Sequence, residues 1–193
     1  MTARNILFVG LNYAPEPVGI GPYSQGLCEA LVQRGNRVEA VVGKPYYPQW
    51  RIYPGFEGVG SATSEEHGVT VTRVPHYVPA NPGGAKRILH LASFAFGALI
   101  PALGAALRGK ERRPQVVITV APALLGVFTA WLAAKLAGAK LWIHVQDFEV
   151  EAALATGLLP KGGLPARFAS WVEARCCAWA TAFPPSARRC VPS

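Results

Sequence analysis

Short apolar runs alternate with helix-period runs along most of this chain, and that order restricts it to few folds. "NILFVG", Asn5 to Gly10, reads as a buried strand. "YSQGLCEALVQRG" then sets Leu27, Ala30 and Leu31 at helical spacing and stops on Gly35, and "RVEAVVG" is a second strand. Strand, loop, helix and strand within about forty residues make a βαβ unit whose strands lie parallel. The pattern repeats: "VTVTRVPHYVP" is a strand, Ala85 to Leu107 a helix, "QVVITVAP" a strand, "ALLGVFTAWLAAKLAG" a helix and "KLWIHVQD" a strand. The fold class predicted is α/β, a doubly wound parallel sheet with helices on both faces. With 193 residues and 51% hydrophobic content, the chain has enough apolar surface for such a core.

Two stretches interrupt the simple reading. Lys44 to Gly68, including "KPYYPQWRIYPGFEGVG", has no sustained period and predicts a long ordered loop, a length that usually marks function. "ILHLASFAFGALIPALGAAL", Ile88 to Leu107, contains no charged residue and is flanked by "KR" and "RGKERR". By length it could just cross a bilayer, but His90, Ser93 and Pro101 interrupt it and the alternation requires a sheet-covering helix there. A covering helix, a surface helix dipping into a membrane and a span all stay open, and the basic flanks suit anionic lipid.

The net charge of +8 rests on only 16% charged residues, a balance that suits anionic partners such as phosphates or acidic headgroups. The Lys and Arg residues are scattered without a recognition motif, which argues against nucleic acid. "MTARNILFVGLNYAPEP" lacks a secretory signal's apolar core and cleavage site, so the cytoplasm is expected. Cys176, Cys177 and Cys190 have no CxxC spacing, and His67, His76, His90 and His144 have no short ligand spacing, so no metal site is expected. No GxSxG is present to mark a serine nucleophile.

In a doubly wound sheet, ligands gather at the carboxyl ends of the strands. Three loops lie there: "NYAPEPVGIGPYSQG" after the first strand, Ala121 to Ala123, and "HVQDFE" at His144 to Glu149. Gly19 and Gly21 invite comparison with the dinucleotide fingerprint, but eight residues separate Gly10 from Gly19, and Ser24 stands at the third glycine position. The second strand ends in Gly43-Lys44 where a ribose-binding acid is expected, so a nicotinamide or flavin cofactor is not predicted. The loop instead feeds a helix beginning near Pro22 whose free N–H groups favour phosphate or diphosphate; alternatively, the two glycines only shape a tight turn. Glu16 is expected to point toward the cleft if the loop covers it. "HVQDFE" puts His144, Asp147 and Glu149 at a strand end, where an imidazole and a carboxylate could bind sugar hydroxyls or support developing charge. The alternatives are a satisfied core residue for His144 and a helix N-cap for Asp147.

"NYAPEPVGIGPYSQGLCEALVQRGNRVEAVVGKPYYPQW" together with "HVQDFEVEAALATGLL" resembles the amino-terminal half of retaining GT-B glycosyltransferases of family 4, in the colanic-acid biosynthesis branch. The resemblance runs from about Asn5 to Glu173. It implies a Rossmann-like acceptor-side domain, one half of a GT-B fold, with a nucleotide-sugar donor held mostly by a second such domain. It further implies that Gly19 and Gly21 face the donor diphosphate and the transferring sugar, and that His144 and Asp147 form the polar pair lining the acceptor side. Transfer in such enzymes is metal-independent and rests on positioning and on stabilising the leaving diphosphate. Acceptors in the branch are lipid-linked sugars, consistent with work at the inner face of the plasma membrane.

The family's second domain does not follow here. "RCCAWATAFPPSARRCVPS" has no periodicity, and synonymous codons exist for Ala174 to Pro192 whose third-base frame reads ALLRLGDRVSTISQALRA. The expectation is an acceptor-side domain over residues 1–173 and an irregular tail over 174–193 produced by a frameshift near Glu173, inactive alone. The competing expectation is a non-catalytic glycan- or phosphate-binding module that pairs with a separate catalytic domain; a membrane-surface interaction protein is the third.

Overall fold

The computed structural model describes residues 3–121 and 124–145, all within one compact unit, Met1–Gln146. The elements run β1 (Asn5–Gly10), α1 (Ile20–Gln33), β2 (Arg37–Gly43), β3 (Ala62–Glu66), β4 (Val69–Val74), α2 (Gly84–Ala106), β5 (Val116–Ala121), α3 (Leu124–Ala137) and β6 (Lys140–Val145). One six-stranded sheet has the order β3-β4-β2-β1-β5-β6. Every pairing is parallel except β3 with β4. The fold is therefore the expected Rossmann-like α/β sheet with an antiparallel edge added.

Strand alternation sorts the core into two layers. Leu7, Val9, Val41, Val74 and Val117 face α2 and α3, while Ile6, Phe8, Val38, Ala40, Val71 and Ile118 face Cys28 of α1. Small residues set how closely α2 approaches: Ala98, Ala102, Ala105 and Ala106 are buried on it, and a Cβ on Gly97 would come within 2.8 Å of the Pro75 carbonyl. Thr129 of α3 donates its hydroxyl to the Ala95 carbonyl of α2 at 3.0 Å. This satisfies a buried polar group where the two helices meet.

α1 ends as its sequence predicts. Gly35 adopts φ 79°, its N–H bonds the Val32 carbonyl at 2.8 Å, and the Asn36 N–H bonds the Leu31 carbonyl at 3.2 Å. Those two bonds are a Schellman motif, which favours glycine at the left-handed position.

Three sequence expectations are corrected. The stretch Lys44 to Gly68 is not all loop, because β3 lies within it and forms a hairpin with β4 through His67 and Gly68, both at positive φ. "ATSEE" carries no apolar alternation because β3 is an exposed edge held by cross-strand polar contacts: Thr63 with Thr72 at 3.0 Å, Thr70 with Glu65 at 2.5 Å, and Arg73 with Glu66. The strand read as Val69 to Pro79 stops at Val74, where Pro75 cannot donate to a ladder. α1 starts at Ile20 rather than near Pro22, and Pro22 sits in the first turn, where no intrahelical N–H is needed.

Among the parallel strands the order is β4-β2-β1-β5-β6, so the chain winds outward from β1 in one direction and then returns to β1's other side with β5. The switch point, where α/β sheets open a crevice, lies at the carboxyl ends of β1 and β5.

Candidate functional site

Leu11 to Gly19 lead from the carboxyl end of β1, at one side of that crevice, to α1, which packs over β2 and β4. Gly19 is the N-cap at φ 70°, ψ −142°, a backbone conformation that side chains make costly, and no side chain caps the helix. Gly19 is exposed, but Gly21 is buried. A Cβ on Gly21 would lie 3.0 Å from the Glu16 Cβ and 3.1 Å from the Glu16 carbonyl oxygen. The two glycines thus do different things locally: Gly19 turns the chain at the surface, and Gly21 lets the helix start press onto the loop before it.

Glu16 does not point into the open cleft as expected. It is 2% exposed, and its Oε1 accepts the backbone N–H groups of Tyr46 at 2.9 Å and Tyr47 at 3.0 Å, while Oε2 accepts Asn12 Nδ2 at 2.9 Å. Burial raises the carboxyl's pKa above its ordinary value against the lowering effect of these three donors. The side chain therefore joins the loop after β1 to the loop after β2, thirty residues on.

The second loop is drawn in by small and buried groups. Gly43 bonds the Leu11 carbonyl through its N–H at 3.0 Å, and a Cβ there would come within 2.6 Å of that oxygen. Lys44 is 5% exposed and donates its ammonium to the Gly58 carbonyl. Beyond it, Tyr46, Trp50, His76 and His90 form a cluster of edge-on and tilted rings, with centroids 4.7 Å apart for Tyr46 and His90, 5.4 Å for Trp50 and His90, and 5.1 Å for the two imidazoles. His90 Nδ1 lies 2.5 Å from the Tyr77 carbonyl, which fixes the proton on that nitrogen. The Nε2 atoms of both imidazoles are buried without a hydrogen-bond partner among the described residues. Burial is the main reason that the His76 pKa falls to about 4 and that the His90 pKa is lowered, so both rings are neutral at pH 7.

Trp50 holds φ 51°, an unusual value for a bulky side chain. It helps line a cavity of about 660 Å³ together with Gln49, Arg51, Ile52, Glu57, Val78 and Ala80. This cavity sits beside the loops that follow β2 and β4, at the carboxyl edge of the sheet. The stretch stands out in the sequence by its length and its Pro, Gly and aromatic content but no single residue of it does, because the cavity's walls come from positions about twenty to thirty residues apart.

His144 is exposed near the end of β6 and stands opposite Val120 of β5 in the ladder. Two strand spacings, about 10 Å, separate β6 from β1, so the structure places His144 beside the switch point rather than against Gly19. Asp147, Glu149 and the Pro122-Ala123 part of the loop after β5 lie outside the described residues. Among the described residues no three His, Cys, Asp or Glu side chains converge as metal ligands do.

A family model described as a glycosyl transferase 4-like domain matches residues 18–187. A candidate colanic acid biosynthesis glycosyl transferase of Escherichia coli (strain K12), WcaI, is 40% identical over 157 residues. That match covers 81% of this chain and 37% of the relative, so the chain spans little more than a third of the relative's length.

Proposed function

The chain belongs to the glycosyl transferase 4-like family, and from that premise we propose that it supplies the acceptor side of a two-domain glycosyltransferase. The reaction moves a sugar from a nucleotide-sugar donor to a lipid-linked glycan during exopolysaccharide synthesis, at the inner face of the plasma membrane. The bond from the sugar's anomeric carbon to the diphosphate breaks, a bond to an acceptor hydroxyl oxygen forms, and that hydroxyl's proton passes to the departing nucleoside diphosphate.

The observation that carries this reading is the loop after β1, closed onto the loop after β2 by Glu16 and ending in the exposed Gly19 at the positive end of α1. A developing diphosphate charge is favoured at such a helix start, and rigid placement keeps the stabilising dipoles aligned before the reaction. Gly19 faces the donor's diphosphate and sugar at this end, and the buried Gly21 lets the helix start pack against the Glu16 loop that holds it there. Glu16 acts as a positioning residue, because its oxygens are occupied by the chain itself. On the acceptor side the polar role falls to His144 and, by their place in the sequence just after it, to Asp147 and Glu149. The cavity beside Trp50 offers an aromatic plane next to Gln49, Arg51 and Glu57, a combination that suits a pyranose ring and its hydroxyls.

Saturation-transfer NMR with the chain and a short-chain polyprenyl-diphosphate sugar tests the reading. Transfer to the sugar protons is expected, with affinity reduced on the order of tenfold in Trp50→Ala. Saturation of nucleotide sugars alone, with none on the acceptor analogue, would overturn it.

A further inference from the structure

We propose that the outer face of α2 lies flat on an anionic lipid bilayer. Leu89, Phe96, Ile100 and Leu107 project from this helix and its C-cap at spacings of 7, 4 and 7 residues, within about 20° of one line along the axis. All four are exposed, Phe96 to 75% and Ile100 to 82%. The opposite side of the same helix, through His90, Phe94, Ala98 and Ala102, is buried against the sheet. That packing excludes a perpendicular crossing of the membrane, although α2 has the length and composition for one.

No charged residue occurs from Ile88 to Leu107, so the solvent side of α2 carries an apolar stripe about 27 Å long. Soluble helices put charged or polar side chains on that side. Cations stand at both ends of the stripe: Lys86 is exposed before it, and Lys110 and Arg112 are exposed after it, with Glu111 the one acid between Gly84 and Gln115. Acyl chains match the middle and anionic headgroups match the ends. A second copy fits worse, because pairing two such faces in either direction sets basic ends against basic ends.

The inference deepens the proposed lipid-linked acceptor by naming the surface that reaches it, and its test reads binding without sugar transfer. The full chain is floated with vesicles of phosphatidylglycerol and phosphatidylethanolamine and, separately, with phosphatidylcholine vesicles. Binding to the anionic vesicles is expected to be stronger by on the order of tenfold or more. The paired substitution Phe96→Asp with Ile100→Asp is expected to abolish it while Tm and oligomeric state stay unchanged. Lys110→Gln with Arg112→Gln is expected to weaken binding most at low salt. Absence of vesicle binding, equal binding to both vesicle types, or binding unchanged by the aspartates would overturn the proposal. So would a lowered Tm or a dissociated oligomer in the aspartate variant, since either shows that protein covers the face. Vesicle binding without acceptor binding would fault the glycosyl-transfer reading alone.

Discussion

α1 and α2 cover opposite faces of one sheet, yet they treat water differently. α1 buries Cys28 and Ser24 inward and turns polar groups such as Gln25 and Glu29 aside, joined at 2.7 Å in an i, i+4 pair. α2 buries Phe94, Ala98 and Ala102 inward and presents Phe96 and Ile100 outward. Sheet packing accounts for most of α1, on which Tyr23 is an isolated exposed ring, but for only one side of α2. A helix apolar all round while buried on one side signals a second environment, one that folding alone does not require.

The largest effect expected from breaking this contrast is on the inner side of α2. Phe94 is fully buried, so Phe94→Ala should lower stability by about 3–5 kcal/mol in urea unfolding, a large part of an ordinary domain's total. Next comes acid. His76 titrates near 4 in the fold against an ordinary value near 6.5, and the His90 pKa is lowered as well. The unfolded chain therefore binds more protons between those limits, and stability is full above about 6.5 and lost as pH falls toward 4. His76 should contribute about 3 kcal/mol of this loss, with His90 adding in the same direction, read as Tm against pH, and His76→Phe should flatten the curve. Glu16 acts in the opposite sense, because its raised pKa means that protonation relieves a buried charge as pH falls.

Glu16→Ala, which takes the acceptor from one buried and one half-buried loop N–H, should cost about 1–3 kcal/mol by urea titration; Glu16→Gln keeps one acceptor oxygen and should cost less. The smallest effect is expected on the outer side of α2, where Phe96→Ser should shift the urea midpoint by no more than about 0.5 kcal/mol equivalent. A shift comparable to that of Phe94→Ala would erase the distinction between the two sides.

Much of this architecture is legible in single-residue patterns because it rests on local periods. β1, β2 and β5 follow from their apolar runs, and α2 begins and ends within one residue of the expected bounds. β3 was hidden because an exposed edge strand needs no apolar alternation; its existence depends on pairing with β4. The site was read less completely. His144 stands near the end of β6 and Gly19 at the start of α1, but the direction of Glu16 depends on Tyr46 and Tyr47, and the contact of His76 with His90 depends on α2 folding back over β4. Such contacts join residues 14 to 31 positions apart with no shared spacing, so no window along the chain displays them.

The Glu16 carboxylate has one more consequence. Tyr46 and Tyr47 lie outside every strand, and loop amides at such places ordinarily exchange their hydrogens with solvent quickly. Here both amides are bonded to a buried acceptor. They should exchange slowly, in step with the core amides of β1 and β2, so that the two loops open only when the sheet beneath them does.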